Sequence, residues 1–250
     1  MKQGIRVLAF STLLISLLSL QARAALIGEW SFNTGFTDIS GSGHNLSSIG
    51  SVTLQPGIVG SAASFDGSGF LYSSNPSLTG TFSAFSMGAF IKAIGNPGPD
   101  AIIMGNFFGC PTGFCAGLTD HFGAAYAYVG SGTSNAHDTG AELNNGEWHH
   151  IAQTFDGTTI RLYVDGVETA SAVSTYTHSL AASEFSMGGR SILDQTFTGL
   201  MDEAFFADHV MSSAEIAGFA SAATIPIPTA VWLFGSALGI LGWIRHRKPA

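Results

Sequence analysis

The sequence predicts an all-β sandwich between an apolar leader and an apolar tail. The chain has 32 glycines and 19 phenylalanines, a composition typical of short core strands joined by tight turns. Apolar and polar residues alternate through residues 147–173 with the period of two that marks half-buried strands. Asp156-Gly157 and Asp165-Gly166 divide this segment, and Asp-Gly pairs supply the positive φ angles of hairpin turns. The segment is therefore predicted to be a three-stranded meander.

Eight further segments have the length and composition of strands, and one has the signature of a helix start. The strand candidates are 26–32, 62–65, 69–73, 82–93, 101–106, 124–129, 184–188 and 198–206. Ser212 and Glu215 have capping-box spacing and predict a helix that begins there. The aromatic stretch 107–128 is interpreted mainly as a loop, and the polar stretch 131–140 as a source of polar groups beside it.

The first 24 residues have the layout of a secretory signal peptide. Lys2 and Arg6 form a basic start, residues 7–20 are apolar apart from small hydroxyl residues, and Ala24 ends a small-x-small cleavage motif. A first transmembrane helix is the alternative, but an apolar stretch this short favours the signal peptide. We expect export through the Sec route and cleavage after Ala24.

The C-terminal tail, residues 222–250, has the features of a transmembrane anchor. Residues 225–244 contain no charge, and as a helix this segment would extend roughly 30 Å, the thickness of the hydrocarbon core of a bilayer. The transmembrane helix is expected over about 229–244. Arg245, Arg247 and Lys248 follow at once, and such cations stay on the cytoplasmic side. A buried core helix is the alternative, disfavoured by the glycine and proline breaks. The tail therefore predicts an inner-membrane-anchored intermediate, with the chain before it outside.

Pro226, Pro228, the apolar run and the basic end together make the tail resemble a PEP-CTERM sorting signal. The resemblance implies recognition by an exosortase, cleavage near the proline motif, and final placement at the cell surface or extracellular matrix of a Gram-negative bacterium. In that family such proteins are associated with exopolysaccharide. Ile227 stands between the two prolines, where the family motif has a glutamate.

Residues 25–221 form one predicted domain with an acidic surface. All 17 Asp and Glu, but only three of the nine Lys and Arg, lie between residues 25 and 224. Such a surface repels nucleic acid, so we expect no nucleic-acid partner. Cys110 and Cys115 are the only cysteines, and in an exported chain such a pair predicts a disulfide. A metal site is the alternative for this pair.

Five motifs in order make the domain resemble a laminin-G-like, concanavalin-A-like jelly-roll β-sandwich. They are "GEWSFNTGFTDISGSGHN" (28–45), "GSAASFDGSGFLYSS" (60–74), "FSMGAFIKA" (85–93), "GEWHHIAQTFDGTTIRLYVDGV" (146–167) and "FTGLMDEAFFADHVMSSAEI" (197–216). This architecture carries lectins, adhesion modules and some enzymes, so the resemblance alone does not define the function.

The jelly-roll resemblance implies a calcium site formed by Asp38, Asn45 and Asp202. Calcium requires six to eight oxygens, and the Gly-Ser-Gly turn after Asp38 offers carbonyls beside these side chains. In the alternative interpretation, Asp38 and Asn45 cap a turn and Asp202 is a solvated acid.

The sequence favours a binding role over catalysis. It lacks the Glu-x-Asp-x-x-Glu strand of concanavalin-A-like hydrolases and the common nucleophile, zinc and phosphate motifs. The aromatic residues Phe114, Phe122 and Tyr126 are candidate glycan contacts, since sugar rings stack on exposed aromatic side chains; burial in the core is the alternative. We expect a non-catalytic surface or matrix protein, with a lectin and then a glycoside hydrolase as alternatives.

Overall fold

The structure is a computed structural model that describes residues 26–95, 99–108, 116–130, 134–177, 182–191 and 195–222. The described residues form fifteen strands and two helices. The strands are β1 (Gly28–Trp30), β2 (Ser47–Ile49), β3 (Val52–Pro56), β4 (Ser61–Asp66), β5 (Phe70–Ser73), β6 (Phe85–Ala93), β7 (Ala101–Phe108), β8 (Ala116–His121), β9 (Ala124–Val129), β10 (Ser134–Asp138), β11 (His149–Phe155), β12 (Thr159–Val164), β13 (Val167–Val173), β14 (Glu184–Met187) and β15 (Thr198–Ala207). The helices are α1 (Pro76–Thr79) and α2 (Ser213–Ala222).

The strands form two antiparallel sheets that face each other. Sheet A has eight strands in the order β13-β12-β11-β6-β15-β4-β3, with β1 paired to β15. Sheet B has seven strands in the order β10-β9-β8-β7-β14-β5-β2. Sequential neighbours pair only in part, so the chain crosses repeatedly between the sheets, as in a jelly roll. The predicted all-β, concanavalin-A-like sandwich is confirmed for the described residues.

The main core fills the space between the sheets. Trp30 of sheet A stacks on Phe185 of sheet B with ring centroids 5.6 Å apart, and Phe206 meets Phe185 edge-on at 5.5 Å. All three rings are fully buried or nearly so. Stacked and edge-on rings contribute beyond the area that they bury, so these aromatic contacts join the two layers.

A second, smaller apolar cluster lies on the opposite face of sheet A. Helix α2 covers this face, where Ile216 is buried and Phe219 stacks on Phe205 at 4.4 Å. The helix begins with the predicted capping box: the Glu215 amide donates to Ser212 Oγ at 3.3 Å, and the Ser212 amide donates to the Glu215 carboxylate at 2.8 Å. The helix start is therefore confirmed.

The predicted meander is present as β11, β12 and β13. The three strands pair in sequence order as antiparallel hairpins. Asp165 and Gly166 have φ angles of 51° and 80°, as a two-residue hairpin turn with two left-handed positions requires.

Four strands were absent from the prediction. They are β2, β3, β8 and β10. The interpretation of residues 107–128 as mainly a loop is wrong for its second half, because β8 runs through 116–121. Strand β10 lies within the polar stretch 131–140 and pairs with β9. Both strands are short and polar on one face, so they gave little apolar signal.

Several sequence predictions fall outside the described residues. These are the leader with Ala24, the Cys110–Cys115 pair, Phe114, and the sorting tail with Pro226 and Pro228. Among the residues that are described, no helix has the length and apolar character needed to cross a membrane.

Candidate functional site

A group of aromatic rings lies on the outer face of sheet B, the face turned away from the main core. Alternate residues of β9 face the core as alanines, which places Tyr126 and Tyr128 outward. The rings of Tyr126 and Tyr128 stack with centroids 5.8 Å apart, His137 stacks on Tyr126 at 5.1 Å, and His121 contacts Tyr126 at 5.1 Å. We call His121, Phe122, Tyr126, Tyr128 and His137 the aromatic platform.

The carboxylate of Asp100 ties two platform residues together. Asp100 Oδ1 lies 2.9 Å from His121 Nδ1 and accepts a hydrogen bond from the Tyr128 hydroxyl at 3.1 Å. Burial, reinforced by the nearby negative charge of Asp100, raises the pKa of Tyr128 above its usual range. Tyr128 therefore remains a neutral hydrogen-bond donor to Asp100 at any physiological pH.

The turn between β8 and β9 presents the most exposed ring of the platform. Phe122 is 56% exposed and has a φ angle of 55°, and its ring meets His121 edge-on at 5.0 Å. Beneath the turn, the Gly123 amide donates to the buried Asp120 Oδ1 at 2.7 Å. The side-chain amide of Asn144 is oriented so that its nitrogen donates to Asp120 Oδ2 at 2.6 Å and its oxygen accepts the Gly123 amide at 3.0 Å. Asp120 thus fixes the turn that carries Phe122.

Two of the three predicted glycan contacts belong to this platform. Phe122 is exposed and Tyr126 half-buried, so neither is the core residue of the alternative interpretation. The sequence analysis missed Asp100, His121 and His137. His137 directly follows the core-facing Ala136 on β10, and His121 lies three residues after the core-facing Leu118 on β8. Both residues were missed because these two strands were not recognised.

The structure places Asp38 at the centre of the loop between β1 and β2. Its Oδ1 accepts the amides of Glu29 at 3.0 Å and Ser40 at 2.8 Å. Its Oδ2 accepts the His44 amide at 2.8 Å and the Ser40 hydroxyl at 3.0 Å. Asn45 lies beside it and accepts the Asp38 amide at 2.9 Å. Partial burial acts to raise the pKa of Asp38, but the hydrogen bonds outweigh it and the pKa is lowered.

Asp202 is held by a different set of amides. Its Oδ2 accepts the Val59 amide at 3.0 Å and its Oδ1 accepts the Glu203 amide at 2.9 Å. Gly57 packs so closely on this carboxylate that a Cβ there would lie 2.4 Å from Oδ2. Burial raises the pKa of Asp202 to about 6, although these backbone hydrogen bonds act to lower it. The interpretation of Asp202 as a solvated acid is wrong, because its side chain is fully buried.

The described residues fit a calcium ion poorly. The loop of Asp38 and the hairpin tip beside Asp202 do meet, since Asn33 Oδ1 accepts the Ser61 amide at 2.8 Å. However, both oxygens of Asp38 already receive two hydrogen bonds each. No group of three His, Cys, Asp or Glu side chains among the described residues could hold a metal ion. Asp38 and Asn45 cap the loop, as the alternative interpretation proposed.

Comparison with protein families identifies the fold. A family model of laminin G type, for the concanavalin A-like lectin/glucanases superfamily, matches residues 65–217, more than half of the chain. The chain belongs to this superfamily. A comparison with curated proteins finds no match.

Solved structures share the superfamily fold at low identity. Domain 4 of AbnA, a GH43 extracellular arabinanase from Geobacillus stearothermophilus, in complex with arabinotriose, is 18% identical with a TM-score of 0.63, over 79% of this chain and 99% of that one. The binding domain of Paraclostridial Mosquitocidal Protein 1 is 14% identical with a TM-score of 0.61, over 79% and 52%. The binding domain of Botulinum Neurotoxin DC in complex with SialylT is 10% identical with a TM-score of 0.61, over 80% and 51%. The chain thus spans about half the length of the two toxin structures, and the likeness shows the fold alone.

His149 and His150 are neighbours in the sequence, but their side chains lie in different environments. His149 contacts the Asp165 carboxylate at 3.0 Å, whereas His150 lies between Phe90 and Phe205 on the outer face of sheet A. Neither ring nitrogen of His150 has a hydrogen-bond partner among the described residues, and burial lowers its pKa to about 4. The two rings do not form a shared metal site, because neighbouring strand residues point to opposite faces.

Proposed function

We propose that the chain is an exported, non-catalytic cell-surface protein whose jelly-roll domain binds polysaccharide on the aromatic platform. The observation that carries this proposal is the outward pair of half-buried Tyr126 and exposed His137, bordered by exposed Phe122, with the buried ring of Tyr128 packed against Tyr126. Flat aromatic faces bind the apolar faces of sugar rings, and neighbouring polar groups orient the hydroxyls. This arrangement favours a lectin-like module over a purely structural sandwich.

The polar groups of the platform suit a neutral sugar. Asp100 provides a carboxylate that accepts hydrogen bonds, and His121 and His137 provide ring nitrogens near the same surface. A carboxylate beside the stack disfavours an anionic sugar by charge repulsion. We therefore infer that neutral polysaccharide, such as uncharged exopolysaccharide, is the ligand class.

Two of the solved structures that share the fold support the choice of ligands to test. One was solved in complex with arabinotriose and another in complex with SialylT. Arabinotriose is a neutral pentose oligomer, whereas sialylated sugars carry a carboxylate. Testing both classes separates a neutral from an anionic preference.

Replacing Tyr126 with alanine is expected to weaken polysaccharide binding at least about tenfold, roughly 1.4 kcal/mol, because the ring at the centre of the stack is lost. The measurement is affinity electrophoresis and calorimetric titration of the full chain, using arabinan, arabinotriose, dextran, a sialylated oligosaccharide and exopolysaccharide of the host. Tyr72→Ala is the matched control. Tyr72 is also half-buried on the outer face of sheet B, but on β5, four strands from β9.

The proposal requires loss in Tyr126→Ala and retention in Tyr72→Ala. Absence of binding to any of these polysaccharides, or equal binding by the two variants, would refute it. Shortening of the bound polysaccharide during long incubation would contradict the non-catalytic part and favour a glycoside hydrolase.

The export and sorting part rests on the two ends of the chain and has its own test. Intact-mass measurement of protein recovered from cells should show loss of residues 1–24 and a second cut near Pro226–Pro228. A further decrease by two hydrogens would report the Cys110–Cys115 disulfide. Recovery of the full-length mass from the cytosol would contradict export and exosortase processing, and would leave the binding result unaffected.

A further inference from the structure

A cavity of about 380 Å³ lies on the outer face of sheet A, beside helix α2. Strand β6, the two ends of the β11–β12 hairpin, the turn between β3 and β4, and the last turn of α2 contribute to its walls. Its lining residues are Ile58, Phe90, Trp148, Asp165, Ala220 and Ser221. The volume is within the range of sites that bind small molecules.

Two aromatic side chains, Phe90 and Trp148, form much of the apolar wall of this cavity. Phe90 is buried and packs edge-on against the ring of His150, with centroids 5.0 Å apart, whereas Trp148 is half-buried. Because burial lowers the pKa of His150 to about 4, the imidazole behind Phe90 carries no positive charge at neutral pH. Aromatic rings attract cations through the negative charge of their π faces, and here no charge behind the wall opposes that attraction.

The carboxylate of Asp165 gives the cavity a negative group in a fixed position. Its Oδ1 accepts the His150 amide at 2.9 Å, and its Oδ2 lies 3.0 Å from His149 Nδ1. The side chain is nevertheless 56% exposed. Each carboxylate oxygen accepts more than one hydrogen bond, so Asp165 can still contact a ligand.

A second carboxylate lies close to the cavity. Asp202 is the cross-strand partner of Phe90, and it is held beneath the turn that presents Ile58. Among the described residues Asp202 takes part in no ion pair, because its hydrogen bonds come from backbone amides. Lys92 lies two residues beyond Phe90 on β6, and neither it nor any arginine is among the described lining residues. The cavity is therefore aromatic and acidic.

We propose that this cavity binds a small organic ammonium ion, with the cationic group against Trp148 and Phe90 and facing the Asp165 carboxylate. Quaternary ammonium groups combine apolar methyl groups with a positive charge, so they satisfy both parts of such a cavity. A neutral apolar ligand would cover the carboxylate without giving it a partner, and an anion would be repelled by it.

The lining also disfavours a sugar as the ligand of this cavity. Besides Asp165 and the indole nitrogen of Trp148, Ser221 is the only polar side chain in the described lining. The Ser221 hydroxyl already donates to the Ala217 carbonyl at 2.7 Å. A sugar ring carries several hydroxyls that each need a partner when they are buried, whereas a quaternary ammonium ion has no hydrogen to donate.

The ammonium site is separate from the aromatic platform. The platform lies on the outer face of sheet B, on β8, β9 and β10, whereas the cavity lies on the outer face of sheet A. The two sites share no residue, so either can bind its ligand without the other. Choline binding by a chain that binds no polysaccharide would leave this proposal standing and contradict only the platform.

The test uses choline and 3,3-dimethylbutan-1-ol as a matched pair of ligands. The alcohol replaces the trimethylammonium group by a tert-butyl group of nearly the same shape that has no charge. Saturation-transfer NMR on the full chain in a non-ionic detergent measures both. We expect saturable binding of choline with a Kd of about 1 mM, a reasonable affinity for so few atoms. The alcohol should bind at least about tenfold more weakly, because it lacks the charge.

Asp165→Asn isolates the charge of the cavity. Asparagine tolerates the φ angle of 51° at this position, and its side-chain oxygen can still accept the His150 amide, so the hairpin should be retained. Choline should bind at least about fivefold more weakly to this variant, with binding of the alcohol unchanged.

Substitutions of Trp148 isolate the aromatic wall. Trp148→Leu should weaken choline binding at least about tenfold, whereas Trp148→Phe keeps a ring and should retain most of it. Phe122→Leu is the control, because it removes an exposed ring from the platform on the other sheet and should leave choline binding unchanged.

Three results would overturn the proposal. The first is no saturable binding of choline up to about 20 mM, a concentration well above the expected Kd. The second is equal binding of choline and its neutral analogue by the wild type. The third is equal binding of choline by the wild type and Asp165→Asn. Glycerophosphocholine carries the same ammonium group on a phosphodiester, which the two carboxylates should repel. Binding of this compound as tight as that of choline would therefore also contradict the assignment.

Discussion

Replacing Asp38 with alanine is expected to lower the free energy of unfolding by about 3 kcal/mol, because buried amides lose a charged acceptor. The Asp38 carboxylate accepts the amides of Glu29, Ser40 and His44, and the Ser40 hydroxyl. The same loop is tied to the core through Trp30, whose Nε1 donates to the His44 carbonyl at 3.0 Å. Loss of Asp38 therefore loosens the connection between β1 and β2, and denaturant unfolding measures the effect.

Asp66→Ala is the matched control for this variant. Asp66 also accepts the amide and hydroxyl of the serine two residues ahead, Ser68, but it lies on the surface. The Asp66→Ala substitution should therefore lower the melting temperature only slightly. A similar loss in the two variants would show that the turn, and not the buried amides, is what Asp38 stabilises.

The Asp38 variant also tests the calcium prediction. If Asp38 acts as a hydrogen-bond acceptor, EDTA and added calcium should leave the melting temperature of the wild type unchanged. A calcium-dependent increase that disappears in Asp38→Ala would show that the residue is a ligand after all, since a ligand bound only by the folded state raises stability.

The sequence identified Asp38, Asn45 and Asp202 as candidate ligands, but it did not identify the groups that hydrogen-bond to them. Carboxylate and amide oxygens serve equally as calcium ligands and as acceptors for backbone amides. Only the path of the chain decides between these roles. At Asp38 the loop folds back so that four donors converge on it, and at Asp202 the hairpin tip closes over the side chain through Gly57 and Val59.

The fold was predictable where apolar alternation was strong and was missed where strands lie at an edge. Strands β6, β11, β12 and β15 carry buried side chains in the core, and their segments were recognised. Strands β2 and β3 are largely exposed, and β10 is short and polar, so periodicity gave no clear signal. The platform was half predicted for the same reason: Tyr126 lies on a recognised strand, while His121 and His137 lie on missed ones.

Stability should depend on pH through two buried carboxyls in the range between about pH 6 and 4. Burial raises the pKa of Asp120 to about 6, although the Gly123 amide and nearby His121 act to lower it, and burial likewise raises the pKa of Asp202 to about 6. The folded state thus binds protons in a range where the unfolded state, with ordinary aspartates near 3.8, does not. Each carboxyl therefore increases the free energy of unfolding as the pH falls from about 7 to 4.

His150 acts in the opposite direction over the same range. Its pKa falls from 6.5 to about 4 on folding, because burial disfavours the imidazolium. The unfolded state therefore binds the proton first, and the free energy of unfolding decreases as the pH falls from about 6.5 to 4. The pH profile of the wild type is the sum of two rising contributions and one falling contribution, so single variants are needed to separate them.

Removing each group should change the slope of the profile with a defined sign. Asp202→Asn and Asp120→Asn should each flatten the rise toward acid, by on the order of 2 kcal/mol between pH 7 and 4. His150→Leu should steepen it. Asp208→Asn, which removes a carboxylate that is 59% exposed, is the control and should leave the slope unchanged. Denaturant unfolding at several pH values measures these slopes. Parallel profiles for Asp202→Asn and the wild type would mean that this carboxyl reaches water, and the hairpin tip held by Val59 would then be an open element instead of a closed one.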